Sequence, residues 1–516
     1  MKRELKKPER RKPAARVRKS PQEQNVEING GANIEADNVE IGGDVVGRDK
    51  ITNVISVTRS AIHIGTLAIP TLPVVIAAIL VTAGLVFVGV SVIGPPGPSK
   101  MTGGFNVAVA QFGQEAENGQ VVPSEEGQRL SRIVFGVLRE QTDEFSDIEL
   151  RSQVQIWHDD LANSEMGTDI GLIADEEAAQ ALAERLGADM VIYGAIDRQN
   201  NFVPKFYVTT EAKGAIDSYV AGHQALGSQP IRVDPDTSLG AGTDIARRAR
   251  ALTYLTIGLT YDVLGRSEDA LQVYRDAETQ LANWNETGEG KEVLYFFLGQ
   301  AALYFSQQQA GLDQATELRQ EAQRAFENGI RSNPEYARPH VGLGSVYYLQ
   351  AFDTQPLSTL LGASDVLTQT FAEYNQALEL AKQSNDQQAE ILATYSLGTA
   401  QYLQGGAYKS DGQIDAADAA FRQAIDTLDS ILASLKATNQ QRLLGHAYQA
   451  QGSVFKELAR MWAEQGDSQK AGVLIEQARQ AFDQCIALSI DSRDKVLLEL
   501  IIRGRCVPQR ASLDMP

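Results

Sequence analysis

The residues with the most catalytic appearance stand together at Trp157, His158, Asp159 and Asp160. A histidine beside two carboxylates has the composition of a general base, which takes a proton from a substrate or from water. Side chains of adjacent residues on a strand, however, point to opposite faces. We therefore interpret this cluster as a solvated loop edge and expect no catalytic residue here.

Metal and thiol chemistry has few candidates. The chain holds 2 cysteines and 5 histidines in 516 residues. Two cysteines cannot form a four-cysteine zinc site or a disulfide framework. We expect Cys485 and Cys506 to be core or free thiols, with an oxidised pair as the alternative. The histidines are scattered and no phosphate-binding loop is recognisable, so the sequence predicts no metal, no cofactor and no enzymatic activity.

The charges are distributed unevenly along the chain, although its overall composition, 43% hydrophobic and 22% charged, is that of a globular protein. Residues 1–60 hold 13 Lys and Arg against 9 Asp and Glu, and residues 60–99 hold none of these four types. From residue 100 onward the net charge is −23. A basic head, an uncharged gap and an acidic body indicate a chain sorted across a membrane.

The uncharged gap, 61–99, contains a candidate transmembrane helix with its core at 74–93. This core reads VVIAAILVTAGLVFVGVSVI. Twenty residues in a helix span the roughly 30 Å hydrocarbon layer of a bilayer, and lipid requires the backbone to be hydrogen-bonded internally. A buried core helix is the alternative. About sixty polar residues precede the segment, which argues against a cleavable signal peptide.

The basic residues predict the orientation of this span. Ten Lys and Arg fall within the first nineteen residues, and Arg48, Lys50 and Arg59 lie closer to the span, whereas only Lys100 flanks its other side. The positive-inside rule then places the N-terminus in the cytoplasm and the C-terminal domains outside, in the periplasm or the extracellular space.

The head before the span divides into two segments. Residues 1–22 are basic and lack a core pattern, so we expect a disordered tail that attracts anionic lipid. No aromatic residue interleaves these charges, which disfavours nucleic-acid binding. Residues 23–60 are Gly-rich and indicate short strands or a linker. Within them, Gly42 to Ile51 resembles a short motif found beside domains of bacterial signalling and conflict proteins, which leaves a juxtamembrane linker and an oligomerising module as alternatives.

Residues 101–235 have the pattern of a small α/β domain, in which a sheet is covered by helices. The domain resembles the N-terminal domain of TolB and related bacterial envelope proteins, through the strand-like FNVAVAQF (Phe105 to Phe112) and the AERLGADMVIYG block (Ala183 to Gly194). This resemblance implies a binding or adaptor domain. The apolar spacing predicts strands at 105–112, 148–157, 190–196 and 202–209, and helices at 125–141 and 175–186.

Residues 240–516 contain an internal repeat. Glycines at 258, 299, 344, 398 and 452 mark five copies, each followed by small and aromatic residues at helical spacing. The pattern resembles the tetratricopeptide repeat, in which two helices pack as a hairpin and neighbouring hairpins stack. The spacings of 41 to 54 residues exceed the usual 34, so we expect longer helices or inserted loops. A terminal helix at 491–503 would cover the last open face.

Tetratricopeptide arrays generally bind peptides or protein segments along their concave surface. Transferring the concave positions to this sequence gives a candidate groove, although packing between repeats is an alternative role for each aromatic residue. The Lys and Asn clamp that chaperone-binding members use for a terminal carboxylate is absent. The candidate groove consists of Phe296, Gln300, Tyr304, Tyr348, Tyr395, Tyr402, Gln449 and Lys456.

The sequence therefore predicts a multidomain protein with one transmembrane helix, a small α/β domain and an all-α tetratricopeptide-like solenoid. The function we expect first is a membrane-anchored scaffold that binds protein or peptide segments at the cell envelope. A transmembrane sensor, whose outer domains bind a ligand and whose Gly-rich head transmits the signal, is the alternative. An enzyme that uses the α/β domain ranks third.

Overall fold

The structure is a computed structural model that describes residues 100–161, 169–209, 217–233, 238–280, 290–309, 311–354, 356–361, 365–488 and 497–514. These residues belong to one compact unit, 87–516. The predicted basic tail, Gly-rich segment and membrane span all lie outside the described residues. Among the residues that are described, no helix is long and apolar enough to cross a membrane.

The α/β region contains two five-stranded sheets. The first sheet has the order β4-β1-β5-β8-β9, with the first three strands parallel and the last two antiparallel to their neighbours. The second sheet has the order β10-β7-β6-β2-β3. The strands are β1 Phe105–Val109, β2 Gly113–Glu115, β3 Val121–Pro123, β4 Val154–Trp157, β5 Met190–Tyr193, β6 Ala195–Ile196, β7 Asn201–Phe202, β8 Lys205–Val208, β9 Gly222–Ala225 and β10 Ile231–Arg232.

Four helices are described in this region. They are α1 Glu125–Glu144, α2 Ile148–Gln153, α3 Glu176–Leu186 and α4 Asp217–Val220, with a 3₁₀ turn at Asp159–Leu161. Helix α3 has the limits that its sequence predicts, because the Asp175 side chain accepts a hydrogen bond from the Ala178 amide and Gly187 ends the helix in the left-handed conformation.

Three strand predictions need correction. The segment predicted as one strand at 190–196 is two strands, β5 and β6, which lie on either side of Gly194 and belong to different sheets. The segment predicted as one strand at 148–157 begins as helix α2, since the Asp147 side chain accepts a hydrogen bond from the Leu150 amide and Ile148 remains 72% exposed. The segment predicted at 202–209 is two strands, β7 and β8, because Val203-Pro204 separates them. A proline cannot donate to a sheet ladder, so pairing changes at this point.

The first sheet is buried on both faces by different parts of the chain. Side chains such as Ala108, Val191 and Tyr193 pack with the apolar face of α3. The alternate residues of the same strands, such as Val107 and Ile192, belong to a core that also contains residues of α1 and of the first helices after residue 238. The α/β region and the helical array therefore share a continuous hydrophobic core.

The helical array consists of antiparallel hairpins of long helices. The helices are α5 Ser238–Val263, α6 Ser267–Gln280, α7 Lys291–Gln308, α8 Leu312–Ser332, α9 Ala337–Phe352, α10 Asp365–Ser384, α11 Gln387–Ser410, α12 Ile414–Ala437, α13 Gln441–Glu464 and α14 Ser468–Ala487. Most are 20 to 26 residues long, and a 3₁₀ segment lies at Leu357–Leu361. Longer helices and an insertion thus account for the wide repeat spacing, as predicted.

The five marker glycines lie where the two helices of each hairpin cross. A Cβ atom on Gly258 would lie 2.3 Å from the ring of Tyr274, and one on Gly452 would lie 2.5 Å from the ring of Phe482. The same close approach occurs at Gly299 to Phe326 and at Gly344 to Tyr374, while Gly398 meets Leu428. Each glycine therefore makes room for a large side chain of its partner helix.

The chain ends in a π-helix at Leu497–Cys506 and helix α15 at Val507–Ala511. The first six residues of the predicted terminal helix at 491–503 lie outside the described part of the chain, and the others belong to this π-helix, which continues to Cys506. Leu497 and Ile501 are buried against Gly445 of α13. This terminal segment covers apolar surface of the last hairpin.

A buried arginine joins the α/β region to the middle of the array. The Arg338 side chain is 0% exposed at the start of α9. Its guanidinium donates to both carboxylate oxygens of Asp386, at 2.8 and 3.0 Å. It also donates to three carbonyl oxygens beside or within β9, those of Val220, Ala221 and His223, at 2.8 to 3.3 Å. All five N–H donors of the guanidinium are thereby used.

The crossing geometry predicts opposite effects for two Gly→Ala substitutions in the last hairpin. Gly452→Ala should lower the free energy of unfolding by about 1–3 kcal/mol, because the added methyl group overpacks the Phe482 ring. Gly472→Ala should raise it by up to about 1 kcal/mol, because nothing lies within 4 Å of the new atom and alanine favours a helix. Guanidinium denaturation of the two variants measures both effects, and shifts of the same sign would contradict this packing.

Removal of the buried guanidinium should destabilise the contact between β9 and the helical array. We expect Arg338→Ala to lower the free energy of unfolding by about 3–5 kcal/mol, because Asp386 and the carbonyl groups lose their buried partner. The matched control is Arg503→Ala, whose ion pair with Glu499 is exposed and contributes about 0–1 kcal/mol. Hydrogen–deuterium exchange should accelerate at 220–226 only in Arg338→Ala. Unchanged exchange there would show that the guanidinium does not fix the junction.

Candidate functional site

In the cluster at the end of β4, Asp160 is exposed and Trp157 and Asp159 are partly buried, but His158 is buried, which corrects its interpretation as part of a solvated loop edge. This side chain is 2% exposed and stacks on Phe135 at 5.0 Å. Its Nδ1 accepts a hydrogen bond from the Asp160 amide, so Nε2 carries the proton and faces the Ser131 hydroxyl at 3.2 Å. Burial lowers the His158 pKa. The ring therefore cannot take a proton from Ser131 in this arrangement.

Asp159 also has a structural role. Its carboxylate accepts hydrogen bonds from the amides of Ile170 and Gly171 at 2.6 and 3.0 Å, and from the Gln111 side chain at 2.7 Å. These bonds tie the end of β4 to the segment before α3. In the part of the chain that is described, no group of three His, Cys, Asp or Glu side chains could hold a metal ion.

The first three predicted groove residues lie in or against the core shared with the α/β region. Phe296 and Gln300 are 1% and 5% exposed, and Tyr304 is half-buried. Phe296 packs edge-on against Tyr336 at 6.0 Å, and the neighbouring Phe297 lies 6.4 Å from Phe206 of β8. The repeat pattern does not indicate that the sheet packs here, and this packing leaves Phe296 and Gln300 no free surface.

The middle of the predicted groove also meets another part of the chain. Tyr348 and Tyr395 are half-buried beside Tyr219 of α4, in a cluster that also contains Leu444 and Tyr448. Burial raises the pKa of Tyr348 to about 12. Tyr402 lies 5.9 Å from Phe421 of the partner helix, so it contributes to packing within its hairpin. Tyr219 was not anticipated, because a single tyrosine in a loop-like sequence carries no periodic signal.

The last predicted groove residues bond to other side chains of the array. The Lys456 ammonium donates to Gln509 Oε1 at 2.9 Å and to the Ser512 hydroxyl at 2.8 Å. The Gln449 side-chain amide donates to the Ser453 hydroxyl at 2.9 Å. Segments distant in sequence, α4 and the chain terminus, thus lie against groove residues that the repeat pattern alone assigns to a ligand.

Cys485 and Cys506 form a disulfide bond, contrary to the expectation of free thiols. Both residues are 0% exposed. The bond connects α14 to the terminal segment, and ion pairs reinforce it where Arg510 meets Asp483 and Arg479 meets Asp514, each at 2.9 Å. The sequence left the pairing open because 21 residues separate the two cysteines.

A cavity of about 480 Å³ lies between the α/β region and the array. Its wall on the α/β side includes β9, where the His223 ring stacks on Tyr207 at 4.5 Å and meets the Tyr193 hydroxyl at 3.0 Å. Burial, together with Arg338 and Lys205, lowers the His223 pKa to about 4, so this ring is neutral near pH 7. Its wall on the array side consists of the starts of α7, α9 and α11 with their preceding turns, together with the turn before α13.

Comparison with known proteins identifies one repeat. Residues 398–427, from Gly398 of α11 to the middle of α12, match the Tetratricopeptide repeat family. No curated protein matches the chain.

Solved structures give weak similarities. A thermophilic tetratricopeptide repeat protein of Thermus thermophilus shares 14% identity at a TM-score of 0.30, with 50% of this chain and 97% of that chain covered. A monomeric mutant of IFIT1 with Gppp-AAAA shares 12% sequence identity at a TM-score of 0.21, with 46% of this chain and 57% of that chain covered. A circular tandem repeat protein shares 13% sequence identity at a TM-score of 0.19, with 53% of this chain and 68% of that chain covered.

With TM-scores below 0.5, these three similarities support no assignment by themselves. The family match and the hairpin formed by α11 and α12 agree at the level of the repeat. In the region described, the chain therefore combines a small α/β region with a helical array that is similar to tetratricopeptide repeats.

Proposed function

We propose that this protein is a membrane-anchored scaffold that binds protein or peptide segments at the cell envelope. The observation that carries the proposal is the repeated hairpin, which recurs with a glycine at each crossing and matches the Tetratricopeptide repeat family at 398–427. Arrays of this type generally bind polypeptides, and their stacked hairpins offer extended surfaces. The apolar run at 74–93 supports the anchor.

The junction between the α/β region and the array favours a rigid spacer over a moving gate. The sheet and the first array helices share a core, and Arg338 adds five hydrogen bonds at a second place. A gate would have to break these contacts together, whereas a spacer keeps them. The resemblance of 101–235 to the TolB N-terminal domain fits an adaptor of this kind.

The disulfide bond supports the placement of these domains outside the cytoplasm. Disulfides persist in oxidising compartments and are rare in the cytosol, where thiols are kept reduced. The positive-inside rule gives the same orientation from an independent feature, the basic residues before the apolar run. The partners would then be polypeptides of the envelope or the exterior.

The groove residues that retain exposed surface are the candidates for partner contact. Tyr348, Tyr395 and Tyr402 are each partly exposed, and tyrosine offers a large contact area at a small loss of side-chain entropy. Tyr304, Gln449 and Lys456 are also partly exposed, but Tyr304 packs against the shared core and the other two bond to side chains of the array. Phe296 and Gln300 are omitted from this set because they are buried. The proposed contact surface is therefore narrower than the one that the repeat pattern predicts.

A capture experiment tests this surface. The full-length chain in detergent should retain partner polypeptides from a membrane extract, and the joint substitution of Tyr348, Tyr395 and Tyr402 by Ala should reduce that capture at least tenfold. The matched control is Val473→Ser, which alters an apolar side chain that is 59% exposed on α14. Circular dichroism must show the same helix content in all three proteins. Equal capture by the triple variant and the wild type would refute the groove.

The disulfide predicts both a chemical and a stability result. Peptide mapping of the protein from alkylated, unreduced cells should recover 485 linked to 506. Joint replacement of both cysteines by Ser should lower the free energy of unfolding by about 2–4 kcal/mol, because the closed loop restricts the unfolded chain. Recovery of both cysteines as alkylated thiols would contradict the oxidising compartment.

A further inference from the structure

The outer edge of β9 faces the cavity between the α/β region and the array. The Leu226 amide donates to the Pro204 carbonyl of the chain before β8 at 2.8 Å. Because antiparallel strands bond at alternate residues, Gln224 then bonds to Phe206, while the backbone groups of His223 and Ala225 point away from β8. The Arg338 bonds to the carbonyls of Ala221 and His223 agree with this register.

Arg338 occupies only part of this edge. The amide of His223 and both backbone groups of Ala225 have no hydrogen-bond partner among the described residues. His223 and Ala225 both line the cavity, and Ala225 is exposed. Unpaired groups on a strand edge are a template on which an extended peptide adds as a further strand.

The opposite wall of the cavity is rich in side-chain amides. Gln388 and Gln440 belong to the starts of α11 and α13 and bond to each other at 2.7 Å, and Asn385 lies in the turn before α11. An amide side chain offers both a donor and an acceptor, as a peptide group does. The volume of about 480 Å³ falls in the range of about 300–1,000 Å³ that is typical of ligand sites.

The charges that line the cavity favour a cationic group. Lys205 is the cation that faces it, and the Lys205 ammonium already lies 3.9 Å from the Glu176 carboxylate. Of two further carboxylates that line the cavity, the exposed Glu335 has no ion pair among the described residues, whereas Glu292 interacts electrostatically with Arg248 and burial raises its pKa. Glu292 is 2% exposed, and its carboxylate accepts hydrogen bonds from the amides of Gly290, at 3.2 Å, and of Ser228, so Glu335 is the carboxylate that is open to a ligand. A peptide carboxylate would be repelled here, whereas a peptide amine would be attracted.

We propose that this cavity binds the free N-terminal end of an extended peptide, which pairs with the edge of β9 at Ala225 and places its amine near Glu335. The inference rests on the proposed function, because it names a polypeptide partner, but it assigns a site away from the tyrosines of the groove. It also specifies the ligand, which is a peptide with a free N-terminal amine and an extended main chain.

The test compares two probes on the full-length chain in detergent. Tetra-alanine with a free amine should bind at least tenfold more tightly than N-acetylated tetra-alanine, as measured by saturation-transfer NMR titration. Ala225→Pro removes the outward N–H without breaking a β8 bond, and it should weaken binding of the free-amine probe at least tenfold. Ala225→Ser, the matched control, keeps the N–H and should stay within twofold of the wild type.

A charge variant separates the amine contact from the strand contact. Glu335→Gln should weaken binding of the free-amine probe severalfold and leave the acetylated probe unchanged, because Glu335 is exposed and its loss affects only the charge. Equal binding of both probes, unaltered binding by Ala225→Pro, or no binding by the wild type would each overturn the inference. Partner capture that depends on the groove tyrosines would survive all three results, so the two proposals fail separately.

Discussion

The arrangement of this molecule depends on how the first sheet buries its second face. Its own helix α3 covers one face, but α1 alone does not cover the other, and helices of the array complete the core there. Leaving such apolar surface exposed to water loses about 25 cal/mol of folding free energy per Å². The α/β region therefore has no closed core without the array, and the orientation of the array follows from the packing of the sheet.

The hairpins add a second constraint, because long helices must remain close over several turns. Glycine at each crossing lets an aromatic or leucine side chain of the partner helix fill the interface, and the same pairing recurs in five hairpins of the described chain. Since each hairpin has an apolar face toward both neighbours, its stability depends on stacking. The disulfide and the terminal segment protect the last such face, which has no further hairpin beyond it in the described residues.

Local features could be predicted from the sequence and distant ones could not. The glycine markers and the limits of helix α3 both follow from spacing within one hairpin or one turn. The partners of Arg338 lie as many as 118 residues away, and Tyr219 reaches the array from a short helix. The burial of Phe296 and Gln300 could not be predicted for the same reason, because a repeat pattern describes a hairpin and not what packs against it.

The buried arginine also explains why a cavity remains at the junction. An apolar junction would close by packing side chains to the density of a protein interior, which leaves few voids. A guanidinium that must keep five acceptors in place fixes the distance between β9 and the starts of α9 and α11, and polar side chains line the remaining space. Breaking the buried ion pair of Arg338 and Asp386 strongly lowers the free energy of unfolding, so this spacing is maintained. A polar-lined cleft of fixed width beside an incompletely paired strand edge is the physical consequence.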